Sequence, residues 1–287
     1  MALPTMRFAA LAGLLLAVAQ AAPADAGSAA SDWILGHNSR VRLIAAPVKY
    51  PDGSEKLTAG VEIALDPGWK TYWRSPGDAG GVPPEFDWKK SANLASATVL
   101  FPAPSRLTDP LGDSIGYKHS VLFPVTFAAT DGTKPVTLDV ALTYGVCAKI
   151  CIPEEHELTL SFDPAAATDP DILDRLTRAL ATVPMAADTS KNAPRLAGLK
   201  LETAGGKSSL LIDTQFPSGA SDAQLFAEAL DNSFVPMPDR LADSGDGHVR
   251  FRVDLTKSDD LKQPSGKKLR LTLVGDDAAS ETMTAIP

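Results

Sequence analysis

Cysteine is scarce in this chain, and the scarcity limits the kinds of protein that the sequence can encode. Only two cysteines occur among 287 residues, at positions 147 and 151. They can form a single disulfide, which excludes the framework of several bridges that stabilises small secreted domains. A chain of this length must instead bury hydrophobic cores, and it is long enough for one large or two ordinary domains.

Basic residues are too few and too scattered for a nucleic-acid-binding protein. The chain has 27 Lys and Arg against 35 Asp and Glu, a formal net charge of −8, and no basic stripe. This charge favours solubility and argues against a polyanionic partner. Thiolates suit Cu(I) or zinc, with His119, His156 and the methionines as candidate further ligands, but no second cysteine pair or His-x-x-His motif completes a metal site.

Long apolar runs are absent after the N-terminus. There, Arg7 precedes an apolar core of about ten residues and then a series of small residues, which is typical of a secretory signal peptide. The core is too short for a membrane-spanning helix, which needs about 20 residues. We predict a signal peptide of residues 1–26, cleaved after Ala26 or alternatively after Ala21, and a soluble exported protein.

Short runs with apolar residues at every second position are abundant between Ser39 and Phe162. Turn residues such as Asp52-Gly53 and Pro67-Gly68 separate these runs, which include VRLIAAPVKY, LTAGVEIALD, VLFPVTFAA and VTLDVALTY. Alternation at this spacing predicts an all-β sandwich. We place this domain at residues 33–165.

A helix and a second β-rich region are predicted after the first domain. The segment TDPDILDRLTRALATVPM predicts a helix with Asp169 as N-cap and Pro170 in its first turn. Together with a polar linker it occupies residues 166–195. Alternation then returns, and we predict a second small β-sandwich over residues 196–287.

The two cysteines lie between strand-like flanks in the segment LTYGVCAKICIPEEHEL. This pattern places them at a loop or hairpin tip, unlike a Cys-x-x-Cys motif that opens a helix. A bridge across three residues would stabilise the chain by only about 2 kcal/mol, and weak exposed bridges are often the catalytic ones. Three interpretations stay open: a local structural disulfide, a redox pair and a metal clip.

Neighbouring side chains bear on the reactivity of the pair. Lys149 would favour a thiolate, whereas Glu154 and Glu155 would oppose it. His156 is a candidate proton shuttle if its ring turns back toward the loop, and otherwise a solvated surface histidine.

Three ordered segments resemble a known family. GWKTYWRSPGDAGGVPPEFDW, GYKHSVLFPVTF and LTYGVCAKICIPEEHELTLSF are similar to the N-terminal periplasmic domain of the thiol-disulfide interchange protein DsbD, and most similar to its copper-sensitivity suppressor, ScsB-like branch. The resemblance covers about Trp33 to Phe162 and continues more loosely beyond. It implies an immunoglobulin-like fold for the first domain. Because the second half is also predicted to be a β-sandwich, we expect an all-β protein with two immunoglobulin-like sandwiches joined by the helix and linker.

The resemblance implies thiol-disulfide exchange in the periplasm without a cofactor. Electrons would come from a membrane thiol reductase and pass to oxidised thioredoxin-like or disulfide isomerase proteins, in copper tolerance or cytochrome c biogenesis. Cys151 would form the mixed disulfide and Cys147 would resolve it. Since the sequence ends at Pro287 without a membrane segment, we expect the reductase to be a separate protein. The alternatives are a copper(I)-handling protein and a binding module with a structural disulfide.

The resemblance also implies a cap over the disulfide. The segment GDSIGYKHS falls at that place, so Tyr117 or Ile115 is the cap candidate, with Asp113 as the remaining acidic residue. Tyr117 could equally be an ordinary strand-edge aromatic. The aromatic residues of GWKTYWR, among them Tyr72, are either packing residues or part of a docking face near the cysteines.

Overall fold

A computed structural model describes residues 29–109, 112–164, 168–243 and 245–287. The predicted signal peptide of residues 1–26 lies outside the described residues. The alternating runs form strands, as predicted, because period-two patterning buries one face of each strand and leaves the other toward solvent. The first half contains strands β1 (Ile34–Gly36), β2 (Ser39–Lys49), β3 (Glu55–Leu65), β4 (Lys70–Tyr72), β5 (Glu85–Asp87), β6 (Leu94–Val99), β7 (Ser105–Asp109), β8 (Gly112–Lys118), β9 (Ser120–Ala129), β10 (Val136–Cys147) and β11 (Cys151–Phe162).

These strands form two sheets that enclose one core. One sheet has the order β1-β2-β3-β9-β6, and the other has the order β11-β10-β4-β8-β7, with β5 paired to β10. Inward side chains of both sheets meet in the same hydrophobic cluster, including Val61, Phe123, Leu138 and Leu158. The predicted all-β sandwich is confirmed.

The hairpin of β10 and β11 carries both cysteines. Its antiparallel register runs without a bulge from Val136 opposite Phe162 to Cys147 opposite Cys151. The two cysteines are therefore the last pair of the ladder, and the three residues between them form the turn. The predicted position at a hairpin tip is confirmed.

The predicted helix, α1 (Pro170–Ala181), packs on the first sandwich. The Asp169 carboxylate accepts hydrogen bonds from backbone N–H groups of the first turn, as expected of an N-cap. Ile172 and Leu176 are buried in a cluster with Ile44 of β2. A Cβ added at Gly60 would lie 2.9 Å from Leu176 Cδ2, so this glycine makes room for the helix. The helix thus belongs to the first sandwich by its contacts.

Removing the central apolar contact of the helix should destabilise the protein. Leu176 is fully buried, and Leu→Ala changes in cores typically cost about 2–5 kcal/mol. We expect Leu176→Ala to lower the free energy of unfolding within that range, as measured by urea denaturation. Thr177→Ala, on the exposed side of the same turn, is the control and should change it by less than about 1 kcal/mol.

The second half forms another pair of sheets around its own core. Their orders are β12-β19-β18-β15 and β13-β14-β17-β16. Two short 3-10 turns, Leu255–Lys257 and Asp259–Leu261, follow β17. The strands are β12 (Met185–Ala186), β13 (Arg195–Ala204), β14 (Lys207–Gln215), β15 (Gln224–Ala229), β16 (Asp239–Asp243), β17 (His248–Asp254), β18 (Lys268–Val274) and β19 (Ala279–Ala285).

The two halves share part of a core, which the sequence did not indicate. Phe226 and Met237 of the second half are buried in the hydrophobic cluster of the first sandwich. The prediction of two small sandwiches therefore does not account for this contact between the halves. No helix within the described residues has the length and apolar character needed to cross a membrane.

Candidate functional site

The cysteines form a disulfide at the hairpin tip. Cys147 and Cys151 are joined by an S–S bond of 2.08 Å, with their Cα atoms 4.2 Å apart. The two sulfur-bearing residues differ in accessibility: Cys147 is 1% exposed, whereas Cys151 is exposed. A thiol partner coming from solvent therefore meets Cys151 first.

Strand register determines which side chains surround the disulfide. Cys147 pairs with Lys70 of β4, and Lys70 pairs with Lys118 of β8. Paired residues project from the same face of a sheet, and so do residues two apart on one strand. Tyr72, two positions after Lys70, therefore projects on the face that carries the disulfide.

Tyr72 contacts both sulfur atoms. Its hydroxyl donates a hydrogen bond to Cys147 Sγ at 2.8 Å and lies 3.1 Å from Cys151 Sγ. The ring is 3% exposed, and two glycines make room for it. A Cβ at Gly81 would lie 2.3 Å from Tyr72 Cε1, and a Cβ at Gly145 would lie 3.2 Å from Tyr72 Cδ2. The local sequence thus builds a fitted slot that aims the phenol at the disulfide.

The environment keeps the phenol of Tyr72 protonated. Burial raises its pKa above the ordinary value, and the negative charge of Asp109 raises the pKa further. Tyr72 is therefore a hydrogen-bond donor at neutral and mildly alkaline pH. A donor at this position stabilises the negative charge that appears on sulfur when the disulfide is cleaved, because hydrogen bonds to charged groups are the stronger ones.

Removing the Tyr72 hydroxyl should slow reduction of the disulfide. A hydrogen bond to a charged group contributes about 1.5–3 kcal/mol. Part of this free energy already stabilises the transition state of disulfide cleavage, in which negative charge develops on sulfur. We expect Tyr72→Phe to slow reduction by dithiothreitol at least about tenfold, a change that corresponds to about 1.4 kcal/mol. Tyr144→Phe is the control, because that buried hydroxyl bonds Ser39 Oγ. Equal rates for Tyr72→Phe and the wild type would contradict this role.

A partly buried ion pair lies beside Cys147. Lys70 Nζ donates to the Asp109 carboxylate and, at 2.7 Å, to Ser114 Oγ. Lys70 is 8% exposed. The pair adjoins a cavity of about 500 Å³ that is also lined by Trp69, His119 and Cys147. Among the described residues, Asp109 thus supplies the carboxylate that lines the same cavity as Cys147.

The structure does not place Tyr117 or Ile115 over the disulfide. Both are buried in the sandwich core, and Tyr117 donates a hydrogen bond to the Pro102 carbonyl at 2.8 Å. Each lies an odd number of positions from Lys118 on β8, so each faces away from the cysteines. This corrects the expectation of an aromatic cap at Tyr117 or Ile115.

The acidic cap candidate Asp113 is also engaged elsewhere. Its carboxylate accepts a hydrogen bond from Thr108 Oγ1 at 2.6 Å and lies 3.6 Å from Arg106 Nη1. The position that sequence reasoning assigned to Asp113 is better filled by Asp109, four residues earlier. Lys149 is exposed at the hairpin tip and lines the cavity beside Cys147.

His156 does not turn back toward the cysteines. Its Nε2 lies 3.0 Å from a Glu154 oxygen, while His37 Nδ1 lies 2.7 Å from the other oxygen of the same carboxylate. Glu154 is 5% exposed, and it pairs with Tyr144, three positions from the disulfide pair. The cluster therefore faces the inner side of the sheet and joins β11 to the start of β2. The proton-shuttle expectation for His156 is corrected accordingly.

Sequence reasoning did not place Tyr72, Lys70 or Asp109 against the sulfur atoms: it considered Tyr72 only as a packing residue or as part of a docking face, and it omitted Lys70 and Asp109. One signal could have found the first two: Lys70 and Tyr72 alternate on a strand-like run beside a Gly-Trp turn, in the segment that carries the family resemblance. Within the described residues, no group of three or more His, Cys, Asp or Glu side chains is arranged to hold a metal ion.

Comparisons with known proteins agree with this geometry. Residues 42–163 match the family model described as thiol:disulfide interchange protein DsbD, N-terminal. The structure resembles the N-terminal periplasmic domain of ScsB from Proteus mirabilis, with a TM-score of 0.69 and 24% sequence identity, over 90% of this chain and 98% of that chain. At this identity the likeness shows the fold, and the resemblance inferred from the sequence is confirmed.

Two other comparisons add nothing to the functional assignment. Bovine butyrophilin is matched over 84% of this chain and 93% of its own, at 13% identity and a TM-score of 0.21, which is too low to support an argument. No curated protein sequence matches the chain significantly.

Proposed function

We propose, from the match of residues 42–163 to the DsbD N-terminal domain family, that this protein is a periplasmic thiol-disulfide exchange module. It accepts electrons from a membrane thiol reductase and passes them to oxidised thioredoxin-like or disulfide isomerase proteins. The observation that supports this most directly is the asymmetric disulfide, in which Cys151 is exposed while Cys147 is buried against the Tyr72 hydroxyl.

The asymmetry supports a different role for each sulfur. In the reduced protein, the Cys151 thiolate attacks one sulfur of the partner disulfide, and the other partner sulfur leaves as a thiolate. The Cys147 thiolate then attacks Cys151 Sγ, and the second partner sulfur leaves. The module loses two electrons and regains its disulfide, while the partner gains two electrons and, after protonation, two thiols.

Reduction by the donor runs through the same steps in reverse. A donor thiolate attacks the exposed Cys151 Sγ, and Cys147 leaves as a thiolate. Tyr72 donates a hydrogen bond to Cys147 Sγ, so it stabilises this leaving group where its charge develops. The mechanism needs no organic cofactor, because sulfur carries the electrons.

The hairpin tip gives partners access to the reactive sulfur. Ile150, the residue before Cys151, is 64% exposed, and Lys149 is also exposed. An exposed apolar side chain next to the attacked sulfur supplies a contact for a protein partner. Cys147 is 1% exposed, so we expect a partner to react first at Cys151.

The reduction potential of the pair tests the proposed function. Thiol-exchange proteins have potentials of about −120 to −270 mV, whereas structural disulfides lie below about −300 mV. We expect a value between about −180 and −270 mV, measured by equilibrating the mature protein with glutathione or dithiothreitol buffers and trapping free thiols. A value below about −300 mV would identify a structural disulfide and contradict the proposal.

A further inference from the structure

Arg74 connects the disulfide-bearing sandwich to the second half of the chain. It lies two residues after Tyr72, and its guanidinium donates to Glu228 through Nε, at 3.0 and 3.1 Å to the two oxygens, and through Nη2 at 2.7 Å. Nη2 also donates to the Glu281 carboxylate. Glu228 lies on β15 and Glu281 on β19, neighbours of the same β18 strand. One side chain of the first half thus engages two strands of the second.

The Arg74 contacts are partly shielded from water. Arg74 is 19% exposed in its side chain and Glu228 is 15% exposed, while the guanidinium lies 4.2 Å from the Trp73 ring centroid and 5.7 Å from that of Phe101. Burial alone would lower the pKa of Arg74, but the hydrogen bonds and charge of Glu228, followed by those of Glu281, outweigh it and raise the pKa. A guanidinium that donates several hydrogen bonds to one carboxylate fixes the relative orientation of the two side chains as well as the distance between them.

Further contacts fix the chain that follows Arg74. The Trp73 ring packs against Phe226 with ring centroids 5.8 Å apart. The Met237 N–H donates to Asp78 Oδ1 at 2.8 Å. The segment from Trp73 to Asp78 is therefore attached to the second half by an ion pair, a ring contact and a backbone hydrogen bond.

The chain that follows this segment lies against the Tyr72 ring. Gly81 lies against this ring so closely that a Cβ would overlap it, and Gly145 N–H donates to the Val82 carbonyl at 3.0 Å. The slot that aims Tyr72 at the sulfur atoms is thus built partly by a loop that touches both halves. Its backbone is hydrogen-bonded to β8 of the first half at Trp73, Pro76 and Ala79, while Arg74 and Asp78 attach it to the second half.

We propose that Arg74 is a positioning residue and that the second half of the chain acts as a brace, which holds Tyr72 against the disulfide through Arg74 and thereby sets the reactivity of the cysteine pair. The proposal rests on the proposed function insofar as that reactivity serves exchange with partners. It assigns the second β-sandwich a part in the chemistry of the first.

A double-mutant cycle tests the brace. The rate constant for reduction by dithiothreitol would be measured for the wild type, Arg74→Ala, Tyr72→Phe and the combined variant. We expect Arg74→Ala to slow reduction about fivefold in the presence of Tyr72 and less than about twofold when combined with Tyr72→Phe, because a residue that acts through Tyr72 loses its effect with the hydroxyl. Arg74→Lys should restore part of the rate, since it keeps the charge but loses the planar fork.

The controls separate positioning from folding. Arg250→Ala removes an exposed ion pair with Asp213 in the second half and should leave the rate unchanged. If Arg74→Ala does not fold, Glu228→Gln and Glu281→Gln replace it in the cycle, since both lie in the second half and leave the first sandwich intact. Each should slow reduction about threefold, again only while the Tyr72 hydroxyl is present.

The outcomes distinguish this proposal from the proposed function. Equal slowing by the Arg74 or glutamate variants in both Tyr72 backgrounds, or no slowing in either, would overturn the brace. A wild-type reduction potential below about −300 mV would overturn the exchange function but would leave the cycle measurable, because dithiothreitol also reduces structural disulfides that it can reach.

Discussion

Replacing Cys151 with serine should abolish disulfide exchange with protein partners, whereas Cys147→Ser should trap a partner. The reason is that Cys151 is accessible from solvent, whereas Cys147 is buried, with only 1% of its surface exposed. With Cys147 absent, nothing resolves the mixed disulfide formed at Cys151. Incubating each reduced variant with an oxidised thioredoxin-like protein, followed by non-reducing electrophoresis and mass spectrometry, should show an adduct for Cys147→Ser and none for Cys151→Ser.

The double variant Cys147→Ser/Cys151→Ser is the control for non-covalent association. An adduct formed by Cys151→Ser at the same rate as by Cys147→Ser would contradict the assignment, because it would show that the buried sulfur reaches partners equally well. An adduct from neither variant, with a partner that the wild type reduces, would show that exchange does not proceed through a mixed disulfide at this pair.

Trp73→Ala should produce the largest loss of stability among the substitutions considered. The Trp73 side chain is 0% exposed and touches Phe226 of the second half, and Trp→Ala changes in cores cost about 3–5 kcal/mol. We expect the free energy of unfolding to fall by that amount in urea denaturation followed by circular dichroism. The wild-type transition should be single, because Phe226 and Met237 of the second half are buried in the core of the first sandwich.

Two further variants check this interpretation. Trp73→Phe should cost less than Trp73→Ala, because phenylalanine keeps an aromatic ring in the core and leaves a smaller cavity. Neither change breaks a hydrogen bond of the indole, since the buried Nε1 of Trp73 has no partner within the described residues. Trp33→Ala, at a partly exposed site where Arg40 and Arg42 lie over the ring, should cost about 1 kcal/mol or less. Two separate transitions in wild-type unfolding would contradict the shared core.

Local patterns were sufficient to predict most of the fold. Alternation predicted the long strands, and the Asp169-Pro170 start predicted α1, because each depends on residues close in sequence. The hairpin tip could be predicted for the same reason, since β10 and β11 are adjacent in the chain and their apolar positions fix the register around Cys147 and Cys151.

The neighbours of the disulfide could not be predicted in this way. Tyr72 and Cys147 are separated by 75 positions, and their contact depends on the pairing of β4 with β10, for which no local pattern exists. A shift of β8 by one residue would exchange Tyr117 and Lys118 between the two faces of the sheet. The cap assignment to Tyr117 followed the order of motifs along the chain, whereas the face of the sheet decides which tyrosine meets sulfur.

The contact between the two halves could not be predicted from the sequence either. Arg74 and Glu228 are 154 positions apart, and Glu228 lies on a strand whose alternation indicates only that it projects away from the apolar side chains of its own core. A charged residue in such a place is usually solvated. Only the assembled structure shows that the carboxylate meets a partly buried guanidinium.

The bulge-free ladder between β10 and β11 has a consequence for how long a mixed disulfide lasts. When the Cys147–Cys151 bond is cleaved, the remaining backbone pairs of the hairpin still hold the two sulfurs as neighbours. Resolution by Cys147 is therefore intramolecular, with a high effective concentration that no dissolved thiol matches. If the protein acts as proposed, we expect the partner to be released before a second thiol intervenes, so that each encounter transfers two electrons.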